Sequence, residues 1–211
     1  YGNSTGLTNS YVGYAAGYTN ETASANTGLG MQALYSNTGD ANTAVGECAM
    51  ICNTSGCANT AIGRRALCNG TTCHSNVAIG DCAMAGSTPG NYNVAVGRYS
   101  LYNNCSTRNT ALGYYSLYAN TGPDNTAVGY AAAASNTSGY YNTAVGKSAL
   151  EDNITGNVNT AVGYCALHKS TADNNTAVGG YALIENTCGT RNTAVGRNSL
   201  YLNTTGCSNT A

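Results

Sequence analysis

The stretch N-T-A-V-G-K-S-A-L-E-D-N-I-T-G-N-V, Asn142 to Val158, decides how this chain is read. It ends where N-T-A-V-G begins again at Asn159, and the same five residues stand at Asn42, Asn125, Asn175 and Asn192. Taking the Asn of each copy or near-copy as position one, the series runs Asn9, Asn26, Asn42, Asn59, Asn76, Asn93, Asn109, Asn125, Asn142, Asn159, Asn175, Asn192 and Asn209. Every interval is 16 or 17 residues. A fixed short period is the mark of a solenoid, in which each unit covers the apolar face of its neighbour. No linker or composition shift interrupts it, so residues 1–211 read as a single repeat array.

A rung this short, with Gly at position five and an Asn-Thr-Gly turn, has no room for two helices. Gly inside a helix costs about 1 kcal/mol, whereas Gly closing a short strand is ordinary. Each rung therefore reads as two short strands, T-A-V and A-L-Y, joined by turns. Stacked rungs would pair in parallel about 4.8 Å apart, making a rod roughly 60 Å long. The expected class is all-β, a parallel β-solenoid or β-roll. Position four is always branched and apolar, and Val45, Ile62, Ile79, Val96, Leu112, Val128, Val145, Val162, Val178 and Val195 are assigned to a core ladder. Leu or Met at position nine completes that core, and the repeated Asn is expected to hydrogen-bond along the stack. The small residue at position three, as at Ala44, Ala61, Ala78, Ala95 and Ala111, points the other way. It either admits a second backbone, as at a trimer axis, or lines a narrow turn. Rungs differ in length at the Asn-Thr-Thr-Gly turn, which places that turn outside.

The chain carries 8% charged residues and a net charge of −1. That balance offers no field for nucleic acid or an anionic membrane, and no apolar run approaches the ~20 residues of a membrane span. No signal peptide is visible and the chain starts at Tyr1, so it reads as a mature product or an excerpt of something longer. Ten cysteines without a C-x-x-C point to an oxidising, extracellular or cell-surface setting. His74 and His168 lie far apart, and neither has a recurrent carboxylate or nucleophile near it in sequence. Calcium-roll and phosphate-loop patterns are absent. Neither an enzyme nor a cofactor is expected.

Placed on the rung, Cys52 and Cys68 fall on adjacent rungs at positions eleven and ten, and Cys57 and Cys73 at sixteen and fifteen. Adjacent rungs are within disulfide reach, so Cys52–Cys68 and Cys57–Cys73 are expected pairs, with Cys188–Cys207 a third. Cys48, Cys82 and Cys165 share position seven on rungs that are not neighbours, and either bridge chains or stay free. N-x-S/T sequons occur at Asn3, Asn20, Asn53, Asn69, Asn104, Asn136, Asn153, Asn174 and Asn203. Six of them, Asn20, Asn53, Asn104, Asn136, Asn153 and Asn203, share the outer turn, where glycans would hydrate a rod of low charge. Tyrosine gathers at positions six and ten, either stacking along the rod or forming a binding stripe.

Asn76-Val77-Ala78-Ile79-Gly80 and Asn93-Val94-Ala95-Val96-Gly97 resemble the V-A-I-G-x-x-S repeat in head domains of YadA-like trimeric autotransporter adhesins. N-T-A-V-G-Y repeats are similar to those of phage tail-fibre-like and bacterial surface proteins. The resemblance implies a left-handed parallel β-roll, often a homotrimer, used for attachment. The rungs here are longer than the usual head repeat, and cysteine is more abundant.

The leading functional expectation is an extracellular filament or shaft, stiffened by disulfides and glycosylated, that self-associates by end-to-end stacking of uncapped strand edges. The alternative is an adhesin or tail-fibre module that binds glycans or a cell surface. Ice binding is a third reading. It is set aside because Thr at position two shares a strand face with position four, which is assigned to the core.

Overall fold

In the computed structural model, residues 5–211 are described. The chain is all-β and folds as a stacked parallel β-solenoid. It divides into two compact units, Tyr1–Thr107 and Arg108–Ala211. Among the described residues the first unit holds β1 (Ser10–Val12), β2 (Thr27–Leu29), β3 (Thr43–Val45), β4 (Thr60–Ile62), β5 (Val77–Ile79) and β6 (Val94–Val96). The second holds β7 (Thr110–Leu112), β8 (Thr126–Val128), β9 (Thr143–Val145), β10 (Thr160–Val162), β11 (Thr176–Val178) and β12 (Thr193–Val195). Within each unit successive strands pair in parallel with rung-to-rung register, Thr43 on Thr60 and Thr143 on Thr160 for example.

One strand per rung forms, not the two expected. The A-L-Y segment runs through consecutive turns instead. In the rung of Asn26, Ala33 N–H donates to Gly30 O, Tyr35 N–H to Gln32 O and Asn37 N–H to Leu34 O, at 3.2–3.3 Å. Gln32 and Leu34 hold φ of 56° and 54°, the positive value that a type II turn needs at its third residue. The alternate amides reach the neighbouring rungs: Gln32 N–H donates to Tyr14 O and Leu34 N–H to Ala49 O. The left-handed corners recur in every rung at positions seven, nine and the residue before the next Asn, as at Ser148, Leu150 and Val158 (φ 55°, 55° and 57°). A left-handed non-glycine costs about 1–2 kcal/mol, and the rung-to-rung bonds on either side offset that cost.

The core also differs from the expectation. In each strand the middle residue faces in: Ala44, Ala61, Ala78, Ala95, Ala111, Ala127, Ala144, Ala161, Ala177 and Ala194 are fully buried. The residues assigned to a core ladder point outward. Val45, Ile79, Val96, Val128, Val145 and Val162 are half-exposed, and Ile62, Leu112, Val178 and Val195 are 38–62% exposed. The parity is set by the Asn at position one, which shares the inward side with position three. The long Leu or Met at position nine fills the rung from the far side, Leu150, Leu167 and Leu183 being fully buried. Where Leu or Met stands at position nine, the gap left beneath the strand admits only a methyl group; Gly17 at that position makes room for Tyr11 instead. The Ala column is thus interior and is not free to face a trimer axis.

The Asn ladder forms, and it binds backbone as well as side chains. Asn142 N–H donates to Asn125 Oδ1 at 2.9 Å, and Asn142 Oδ1 accepts from Asn159 N–H at 3.0 Å. Asn142 Nδ2 donates to Gly156 O at 2.8 Å. A second ladder runs at position twelve, where Asn153 Nδ2 reaches Asn136 Oδ1 at 2.7 Å. Gly closes each strand for a steric reason: at Gly146 (φ 133°) a Cβ would stand 2.5 Å from Gly163 O.

The inverted core is testable within one rung. Leu183→Ala should lower stability by about 2–5 kcal/mol, while Val178→Ala should stay within about 0.5 kcal/mol. Urea midpoints of the full chain, followed by circular dichroism, measure both. A larger loss at Val178 than at Leu183 would instead place the core at position four.

Candidate functional surfaces

The ten cysteines are free thiols in this structure. Cys52 and Cys68 lie side by side on neighbouring rungs, with Cys52 N–H donating to Cys68 O at 3.1 Å. Burial pushes the Cys68 thiol up, and the neighbouring Cys52 adds to this. The other two expected pairs do not face each other. Cys57 is in register with His74, whose Nδ1 accepts its N–H at 3.1 Å, while Cys73 is buried one position away. Cys188 N–H donates to Thr204 O, whereas Cys207 Sγ accepts from Thr190 N–H at 3.4 Å. Equivalent positions stack, so Cys57 at sixteen meets His74 at sixteen rather than Cys73 at fifteen, and Cys188 at fourteen stands two positions from Cys207 at sixteen.

At position seven Cys82 and Cys165 are 8% and 9% exposed and offer little sulfur to a second chain; Cys48 is half-buried. Cys48, Cys68 and Cys82 line a groove of about 380 Å³ with Ile51, Arg65 and Tyr102. Among the described residues no group of three or more His, Cys, Asp or Glu is placed to hold a metal ion.

The outer turn does not expose its asparagines. Asn20, Asn53, Asn104, Asn136 and Asn153 are at most 1% exposed, and Asn203 is half-buried. The amides of Asn53, Asn136, Asn153 and Asn203 belong to the position-twelve ladder. Asn20 Nδ2 donates to Tyr11 Oη and Ala23 O and Asn104 Nδ2 to Ser106 O, so a glycan at any of these sites is incompatible with the stack. The turn backbone faces water as expected while the Asn side chain turns in. Asn69 and Asn174 are exposed, and Asn3 lies outside the described residues. Asn69 escapes because its rung has Gly70 at position twelve.

Tyrosines stack along the rungs. Tyr18 and Tyr35 lie 5.0 Å apart and Tyr114 and Tyr130 5.4 Å apart, both nearly parallel. Lys147 Nζ sits 5.7 Å from the rings of both Tyr130 and Tyr164. Ring faces turned toward one another leave mainly edges for a ligand. In the first unit the same column is charged, with Asp81 bridging Arg64 and Arg98 at 3.0 and 3.1 Å. His168 lies 3.5 Å from Glu151 and 3.4 Å from Asp152. Those neighbours are remote in a linear reading, yet one period of 17 residues joins 151 to 168.

The outward strand face is the surface that sequence reasoning missed. In β7–β12 it presents Thr at position two and Leu or Val at position four in unbroken columns. In the first unit Ser10, Val77 and Val94 interrupt the Thr column. The alternation of the strand was legible, and the Asn at position one was the signal for which side is inward.

Two outcomes follow. In a secretory host, glycopeptide mapping of the folded protein should find sugar at Asn69 and Asn174 and none at Asn136 or Asn153. In alkylation at mildly alkaline pH, Cys207 should react before Cys73. Bonds from Thr190 lower the Cys207 thiol and burial raises that of Cys73, so at a given pH Cys207 holds more of the nucleophilic thiolate.

No family model, curated protein or solved structure matches this chain.

Proposed function

We propose that the chain is an extracellular structural repeat protein, a segment of a stiff shaft that associates end to end into filaments. One observation carries the reading: the form of the rung-to-rung interface. Thr143 N–H donates forward to Asn159 O, and Gly146 N–H donates back to Val128 O. Each rung offers the next what it accepts from the last. Such a head-to-tail interface does not close on itself, and repetition of it generates open filaments.

Ten cysteines support secretion, with Cys52–Cys68 the bridge that joins adjacent rungs once oxidised and Asn69 and Asn174 the glycan sites. Left-handed winding and kinship to YadA-like head repeats belong to the same proposal and rest on the V-A-I-G and V-A-V-G copies at Val77–Gly80 and Val94–Gly97.

Electron microscopy of purified material, with and without reductant, tests it. The expected result is long filaments with an axial repeat of about 4.8 Å, and a Cys52–Cys68 peptide in non-reducing digests. Discrete single-chain particles at every concentration would overturn the filament.

A further inference from the structure

We propose that the outward face of β7–β12 is an ice-binding surface, whose ligand is the ordered water lattice of a growing ice crystal. The inference stands apart from the filament reading.

The face is a regular two-dimensional array. Thr110, Thr126, Thr143, Thr160, Thr176 and Thr193 form one column, and the aliphatic residue two positions on forms a parallel column from Leu112 to Val195. All variation in rung length falls in the turns, so the columns keep step. Spacing is uniform at both ends of the strands. The bonds from each Thr N–H to the next Asn carbonyl are 2.8 Å in every rung of this unit. Those from Gly129, Gly146, Gly163, Gly179 and Gly196 back to the preceding aliphatic carbonyl are 2.7–2.8 Å. Strands therefore repeat at about 4.8 Å, with Thr and its partner residue about 6.6 Å apart along each strand. Hexagonal ice repeats along its a axis at nearly the first spacing and along its c axis at a little more than the second.

The chemistry fits the same ligand. Thr and Val carry branched β-carbons with few χ1 states, so hydroxyls and methyls are held in place before water arrives. The turn threonines donate their hydroxyls to the next rung, Thr121 to Thr137 O at 3.0 Å and Thr137 to Ile154 O at 2.9 Å. The strand threonines make no such bond among the described residues, which leaves their hydroxyls to water. No charged side chain stands in any of the six strands to impose its own hydration shell.

A second copy of the chain fits less well. Six three-residue strands present roughly 300 Å², well short of the ~800 Å² per partner of a stable interface. A crystal lattice needs no such patch, because every matched repeat pins water that must melt before the protein detaches.

The test uses the full chain in nanolitre osmometry, with ice-crystal shape recorded alongside. The expected result is a gap between melting and freezing with faceted crystals. Thr143→Tyr should abolish the gap, the milder Thr160→Val should reduce it, and Lys147→Gln, off the face, should leave it intact. Circular dichroism confirms folding, and should Thr143→Tyr not fold, Thr160→Val decides. Round crystals with no gap from the folded wild type would overturn the proposal, as would a gap indifferent to the face variants. A concentration-dependent dimer in sedimentation velocity, broken by Thr143→Tyr and without ice shaping, would reassign the face to self-association.

Discussion

A buried asparagine carboxamide at the start of each rung is the constraint on which the rest depends. Its oxygen accepts the backbone N–H of the Asn one rung on, and its nitrogen reaches the carbonyl of a turn, as with Asn142 between Asn159 and Gly156. A buried amide or carbonyl left unpaired costs about 1–3 kcal/mol, so these groups hold the chain to one register. The alignment is renewed once per period. Between two such points the chain can be 16 or 17 residues long without disturbing the strand that follows, as at Asn159 and Asn142.

That ladder also explains why so small a core suffices. Position one faces inward, so position three must as well, and the rung is narrow enough there that Ala44 or Ala144 fills it. Apolar burial comes chiefly from the single long residue at position nine. Much of the cohesion must then come from hydrogen bonds between rungs. This accounts for backbone shapes that would be costly in isolation, such as Val158 at a φ of 57°. The neighbours on both sides over-determine the conformation.

Period, parallel stacking, the position of the turn and the Asn ladder were legible in the sequence, because each recurs at a fixed offset. The side of the strand that faces inward was not. Both sides of T-A-V carry apolar groups, and size alone favours position four as the core. The polar Asn decides the matter, since it needs buried partners and shares parity with Ala. The same need for partners turns Asn136 and Asn153 inward while only the turn backbone faces water. The expected Cys57–Cys73 pair ignores a one-position offset: Cys57 and His74 both hold position sixteen, and Cys73 holds fifteen. The second strand failed for a different reason: its alternating small and large residues suit a chain of turns with left-handed corners as well as an extended segment.

Renewal of register at each Asn has a genetic reading. Recombination between misaligned copies of the coding repeat would delete or duplicate whole rungs, in frame, and any rung so joined would meet a neighbour with the same bonding pattern. Length could then drift between lineages without passing through a misfolded intermediate, while sequence changes gather in the turns and on the outer columns.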